Sequence, residues 1–333
     1  MLTTKDFLTG FELNKQELNT LLDLAKALKE KRKEGLGRNL LKGKTMAMLF
    51  DKPSLRTRLS FTIAMQELGG NVVDSISSSR KDEEPQDLAR VLQGYCDAIM
   101  IRTFSDQDIA IMAKATHIPV INGLSDQFHP CQSLADLLTV REHFEDLSKV
   151  TLAYIGDGNN ILHSLIPLSS LLGLKIHYAC PKGYGPNKEW VDSYLKEGHI
   201  KAFDSPKEAV VGADVVYTDV WASMGFESEK AQRQAAFAGF QVNEELLSKT
   251  GKYTKVMHCL PMIRGEEISN TLPDSEVSLI FRQSENRLHV QKALLLALFA
   301  KEIGVENVQS LIGGRSGRTN PNHKEYFLAR GAR

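Results

Sequence analysis

Cysteine is scarce in this sequence, and what there is lies scattered. Cys96, Cys131, Cys180 and Cys259 are the four among 333 residues, and no two form a C-x-x-C pair. That excludes the usual cysteine–zinc patterns and a dense disulfide framework. Net charge is also lacking, since Lys+Arg and Asp+Glu both total 41. A nucleic-acid binder normally carries a basic excess, so any anion site here has to be local. No uncharged apolar run is long enough to span a bilayer, and the opening MLTTKDFLTG lacks the charged-then-apolar shape of a signal peptide. The expectation is a cytoplasmic protein with neither membrane nor nucleic acid among its partners. Internal repeats and low-complexity blocks are absent as well.

What is present is ordinary globular composition, 42% hydrophobic and 25% charged, in a chain long enough for two domains. Short apolar runs alternate with helical patterns, which predicts parallel α/β structure. Strands are expected over 45–50, 71–76, 98–102, 119–122, 149–155, 175–180, 215–218, 255–258 and 277–281. Helices are expected over 16–34, 60–68, 85–95, 106–116, 130–143, 162–172 and 286–300. The boundary is placed near 140–150, giving a first domain over 1–145 and a second over 146–300. Residues 301–333 are expected to pack back on the first. That end carries a polar, basic tail with Arg315, Arg318, Lys324, Arg330 and Arg333 against Glu325 alone.

The stretch Ser54-Leu55-Arg56-Thr57-Arg58 follows a predicted strand and opens a helix. Unpaired amides and the macrodipole make a helix N-terminus an anion site. Ser54 and Thr57 add hydroxyls, and Arg56 can grip a phosphate with two parallel hydrogen bonds. Arg58 is expected to be a structural partner for a carboxylate. Arg102 ends a strand, where open α/β sheets bind ligands. His129-Pro130-Cys131-Gln132 stands at a helix start and offers an imidazole and an amide. Singly, each of these is more often structural than catalytic.

Further motifs complete a pattern: Leu134-Ala135-Asp136, Gly156-Asp157-Gly158-Asn159-Asn160, Asp219-Val220-Trp221-Ala222-Ser223-Met224-Gly225 and His258-Cys259-Leu260-Pro261. With the earlier ones they resemble the aspartate/ornithine carbamoyltransferase family, and within it the ornithine type, from about residue 2 to 300. The resemblance implies two domains, each a parallel β-sheet flanked by helices, joined by long helices. It implies transfer of a carbamoyl group from carbamoyl phosphate to the δ-amine of L-ornithine, giving L-citrulline and phosphate. No cofactor and no metal are implied, and no metal-ligand cluster is evident in the sequence. By resemblance, Arg56, Arg102, His129, Asp219 and Cys259 are the catalytic candidates. Ser54, Leu55, Arg56, Thr57, Arg102, His129, Gln132, Cys259, Leu260 and Arg287 would bind carbamoyl phosphate. Asn160, Asp219, Ser223 and Met224 would bind ornithine. A homotrimer is implied, with Lys81 reaching a neighbouring subunit's site from a Ser/Lys loop over 74–86 that is more like that of the aspartate-type enzymes. Ile263 stands where a His is often found.

Three competing readings remain. Gly156–Asn160 follows a strand like a dinucleotide turn, but Ile161 stands at the third glycine and no acidic residue ends the next strand. A non-enzymatic relative would keep the fold without the reaction. A carbamoyltransferase could act on lysine, putrescine or an acylated ornithine instead. Cys259 beside His258 suggests a thiolate nucleophile, yet neighbours on a strand face opposite ways, so His258 is poorly placed as its base.

Overall fold

The computed structural model describes residues 2–51, 53–76, 83–222 and 229–312. Among the described residues nine strands form two sheets. β1 (Thr45–Phe50), β2 (Asn71–Ile76), β3 (Ala98–Arg102) and β4 (Val120–Leu124) make a four-stranded sheet in the order β2-β1-β3-β4. β5 (Thr151–Ile155), β6 (Lys175–Ala179), β7 (Ile200–Phe203), β8 (Val215–Thr218) and β9 (Lys255–His258) make a second in the order β7-β6-β5-β8-β9. Every strand pairing is parallel. β1 and β3 are buried almost throughout, as central strands covered on both faces have to be.

The flanking helices are α1 (Lys15–Glu30), α2 (Leu55–Glu67), α3 (Pro85–Leu92), α4 (Asp106–Ala115), α5 (Pro130–Arg141), α6 (Asn160–Leu172) and α7 (Lys188–Lys196). Shorter ones follow: α8 (Pro206–Ala209), α9 (Lys230–Ala236) and α10 (Glu244–Leu247). α11 (Ile280–Leu298), α12 (Ala300–Ile303) and α13 (Val305–Ile312) close the described chain. Local chemistry sets several ends. Asn14 and Glu17 form a reciprocal capping box on α1, Pro130 opens α5, and Gly173 closes α6 at φ 74°. α11 is buried along most of its length against α1, α2 and α5, although the sequence reading counts its residues with the second half. Its Lys292 is almost wholly buried and pairs with Glu67 of α2 at 2.9 Å. α13 packs against α1, while the basic tail from Gly313 lies outside the described residues.

Several elements differ from expectation, among them the helices α7 to α10, which were not expected. Residues 277–281 are not a strand. Ser278 makes one bridge to Val256, and Ile280 already starts α11, so this apolar run serves a helix start instead of a ladder. β7 was not expected: Ile200 is buried but Lys201 and Ala202 are exposed, the composition of an edge strand with little apolar signal. α2 begins at Leu55, five residues before the apolar pattern suggests, because Ser54 caps it by accepting from the Thr57 amide at 3.3 Å.

Candidate active site

A cavity of about 540 Å³ lies where the carboxyl ends of β1, β3 and β4 face those of β5, β8 and β9. One wall is cationic. Arg56 sits in the first turn of α2, Arg102 at the end of β3 and Arg287 on α11. Among the described residues no carboxylate forms an ion pair with any of the three. Burial, then Arg287 and Arg56, push the Arg102 pKa down to about 10, and its Nε is buried without a partner. Burial also lowers Arg56 and Arg287. Three cations held close at a helix N-terminus, with Ser54 and Thr57 beside them, form a site electrostatically completed by an anion such as phosphate.

His129 is the N-cap position of α5, and its amide donates to Ser164 Oγ at 2.8 Å. Burial, then Arg287, Arg102 and Arg56, hold its pKa well below the ordinary imidazole value. The ring therefore stays neutral at neutral pH, and its buried Nδ1 has no partner. It can donate a hydrogen bond to a carbonyl oxygen without adding charge.

The opposite wall is anionic. Asp219, just past β8, accepts from Val220 N at 2.8 Å and Cys259 Sγ at 2.9 Å on one oxygen, and from Asn159 Nδ2 at 2.8 Å on the other. Burial, then the Asp219 charge, raise the Cys259 pKa well above the ordinary thiol value. Cys259 is thus a neutral donor to Asp219, not a thiolate nucleophile. His258 lies nearby but is engaged with other partners: its Nε2 meets Glu267 at 3.0 Å and its Nδ1 accepts from Leu260 N at 2.9 Å. That second bond helps hold Leu260 at φ 62°, with its side of the loop in the cavity wall. At neutral pH, alkylation of Cys259 by iodoacetamide is expected to run about tenfold or more slower in the folded chain than in the denatured one. Peptide mass spectrometry reads it, and equal rates would contradict the neutral, shielded thiol.

A cationic wall facing a carboxylate–thiol pair whose thiol is held neutral suits direct attack of an amine on an acyl phosphate. Comparison with known proteins agrees. Residues 5–142 match the family model "Aspartate/ornithine carbamoyltransferase, carbamoyl-P binding domain", and residues 148–298 match "Aspartate/ornithine carbamoyltransferase, Asp/Orn binding domain". The chain belongs to the aspartate/ornithine carbamoyltransferase family. It is similar to the ornithine carbamoyltransferase of Prochlorococcus marinus, at 45% identity over 306 residues covering 90% of this chain and 98% of that one. Its identity to the enzyme of that name from Oceanobacillus iheyensis is 48% over 307 residues, covering 89% and 94%. Among solved structures, ornithine carbamoyltransferase of Pyrococcus furiosus superposes with a TM-score of 0.83 at 43% identity, covering 87% and 96%. That of Thermus thermophilus gives 0.82 at 41%, covering 89% and 99%.

For this carbamoyltransferase-family chain, the structure brings Ser54, Leu55, Arg56, Thr57, Arg102, His129, Asn160, Asp219, Cys259, Leu260 and Arg287 to one cavity. Gln132, expected among the carbamoyl phosphate ligands, is not among the residues lining the cavity. It is buried behind the wall, with Nε2 bound to Asp136 at 2.8 Å and Oε1 accepting from Arg287 at 2.8 Å. It touches Arg287, not the cavity. Lys81, Ser223 and Met224 lie outside the described residues. Arg58 pairs with Asp74 and stacks over the Phe50 ring at 4.5 Å, the structural part expected of it. Asn160 donates to Ser125 O at 2.7 Å, tying the second sheet to the loop that carries His129.

Sequence reasoning missed Asn159, Asp157 and Arg233. Asn159 caps α6 and holds Asp219; only its place in the Gly-Asp-Gly-Asn-Asn turn hinted at it. Arg233 binds Asp157 at 2.8 Å, Glu229 at 3.0 Å and the Trp221 carbonyl at 2.9 Å, and no local signal marks it. Burial raises the Asp157 pKa to about 6. Contrary to expectation from the sequence, one potential metal-ligand group is found among the described residues: atoms of Asp219, His258 and Cys259 lie within 4.8 Å of one another. Both His258 ring nitrogens and the Cys259 thiol are already engaged in the hydrogen bonds above.

Proposed function

We propose that this protein transfers the carbamoyl group of carbamoyl phosphate to the δ-amine of L-ornithine, forming L-citrulline and phosphate. The observation that carries this reading is the single cavity with an uncompensated three-arginine wall facing the Asp219–Cys259 pair. Ser54, the Leu55 amide, Arg56, Thr57 and Arg102 bind the phosphate. Arg102, His129 and Arg287 point donors at the carbamoyl oxygen, where negative charge develops. Asp219 and Cys259 orient the amine, with Asn160, Ser223 and Met224 completing the amino-acid end. The nitrogen lone pair attacks the carbonyl carbon, the carbon–oxygen bond to phosphate breaks, and the nitrogen releases a proton. No bond to the enzyme forms.

The division of labour is proposed as residues 1–145 for carbamoyl phosphate and 146–300 for ornithine. The bounds of the two matched family models support it. A cytoplasmic homotrimer is proposed as well. Leu55 at 69% exposed, Leu59, Val73 on edge strand β2, Tyr95 at 78% and Phe104 leave apolar surface on the first sheet and its helices, which supports a subunit interface there. Lys81 would reach the neighbouring site from such an interface.

The test is a transfer assay with purified protein. Citrulline and phosphate are expected in equal amounts, and the rate should rise with pH through the neutral range, because the free amine has a pKa of ~10.4 and reacts only when neutral. His129, already neutral, adds no acid limb. Phosphate released without citrulline would overturn the reading.

A further inference from the structure

Asp136 lies on α5, wholly buried and outside the cavity wall, where carbamoyl transfer gives it nothing to do directly. Its Oδ1 accepts from Gln132 Nε2 at 2.8 Å and from Gln283 Nε2 at 2.7 Å; its Oδ2 accepts from the Tyr217 hydroxyl at 3.0 Å. Each glutamine spends its other amide atom on the site. Gln132 Oε1 accepts from Arg287 Nη1 at 2.8 Å, and Arg287 Nη2 donates to Thr57 Oγ1 at 3.1 Å. Gln283 Oε1 accepts from the His258 amide at 2.9 Å, one residue before Cys259. An amide can turn either face to a neighbour. Burial raises the Asp136 pKa to about 7, but its place in the network is set by geometry: Oδ1 takes two amide N–H donors and Oδ2 the Tyr217 hydroxyl. Asp136 therefore fixes which way each glutamine points. With Gln132 turned over, its NH₂ would meet the Arg287 guanidinium, donor against donor, between two buried side chains.

We propose that Asp136 is a positioning residue for the carbamoyl phosphate pocket, acting through the Gln132 amide on Arg287 and Thr57. This rests on the carbamoyl transfer reading above. Asp136→Leu removes both acceptors. Asp136→Asn keeps one oxygen for the two glutamines and turns its NH₂ to the Tyr217 oxygen, which can also accept. The role is separated from a merely structural one by comparing substrates and by a double-mutant cycle with Gln132→Leu.

Asp136→Leu is expected to raise the carbamoyl phosphate KM about tenfold with a much smaller change in the ornithine KM, and Asp136→Asn to recover most of that loss. Gln132→Leu and the double variant are expected to share one carbamoyl phosphate KM, since without Gln132 the relay has no middle member. If Asp136→Leu fails to fold, Gln132→Leu alone still tests the relay: its carbamoyl phosphate KM is expected to rise about tenfold, and a KM equal to the parent's overturns the relay. A double variant about tenfold worse than Gln132→Leu, or an Asp136→Leu enzyme matching the parent, overturns the relay. Calorimetry with carbamoyl phosphate separates the two claims. A parent protein that does not bind it overturns the proposed function; equal binding by the parent and Asp136→Leu overturns the relay alone.

Discussion

Arg102→Met is expected to lower kcat/KM for carbamoyl phosphate by about 10³-fold while leaving Tm unchanged or higher. The two effects share one cause. Arg102 is only 8% exposed and has two guanidinium neighbours, Arg56 and Arg287, with no carboxylate ion pair among the described residues. A cation whose folded pKa is depressed costs stability wherever it is charged. Here that means below about 10, so the cost is fully present at neutral pH and is relieved only as pH rises through that value. Methionine fills similar space without the charge, and replacing an uncompensated buried ion by an apolar side chain relieves the fold. The same replacement removes a donor from both the phosphate and the carbamoyl oxygen. Phosphate should raise the Tm of the parent, stabilising the fold by about 2.7 kcal/mol at a hundredfold excess over its Kd, and leave the Tm of the variant nearly unmoved. Scanning calorimetry with and without phosphate, beside steady-state kinetics, checks both halves. A variant that keeps activity but loses several degrees would show Arg102 to be structural.

Asp219→Asn is expected to reduce kcat by about 10²–10³-fold with carbamoyl phosphate binding intact. Asp219 uses both oxygens as acceptors, from Asn159, Cys259 and Val220. Asparagine keeps the size but sets an NH₂ against one of those donors and removes the charge facing the amine. The attacking nitrogen loses its orientation, while the arginine wall on the other side is untouched. Calorimetry for carbamoyl phosphate and citrulline formation at saturating substrates measure the two parts. A kcat within about tenfold of the parent would remove Asp219 from the amine site.

The readable part of this site is what lies at element ends. Ser54 to Thr57 and Arg102 follow strands, and the chemistry of strand ends and helix N-termini is local, so short motifs carry it. His129 and Cys259 sit at similar ends, and His258, although its ring lies within 4.8 Å of the Cys259 sulfur, is held by Glu267 and Leu260. What stayed hidden is partner choice across the fold. The motif holding Gln132 was visible, but nothing in it says that both amide atoms are consumed by Asp136 and Arg287, residues 4 and 155 positions away. Arg233 sits on a short polar helix and meets Asp157 only in three dimensions. In the fold, buried central strands were legible from their continuous apolar runs. The edge strand Ile200–Phe203 was not, and the apolar run 277–281 was misread because a buried helix start and a buried strand share one composition.

The central claim is that the Asp219–Cys259 wall selects ornithine for attack on carbamoyl phosphate. It is tested most directly by kcat/KM for carbamoylation of ornithine, lysine, putrescine, acetylornithine and aspartate under identical conditions. The highest value is expected for ornithine, with citrulline as its product. A higher value for any other acceptor would contradict it.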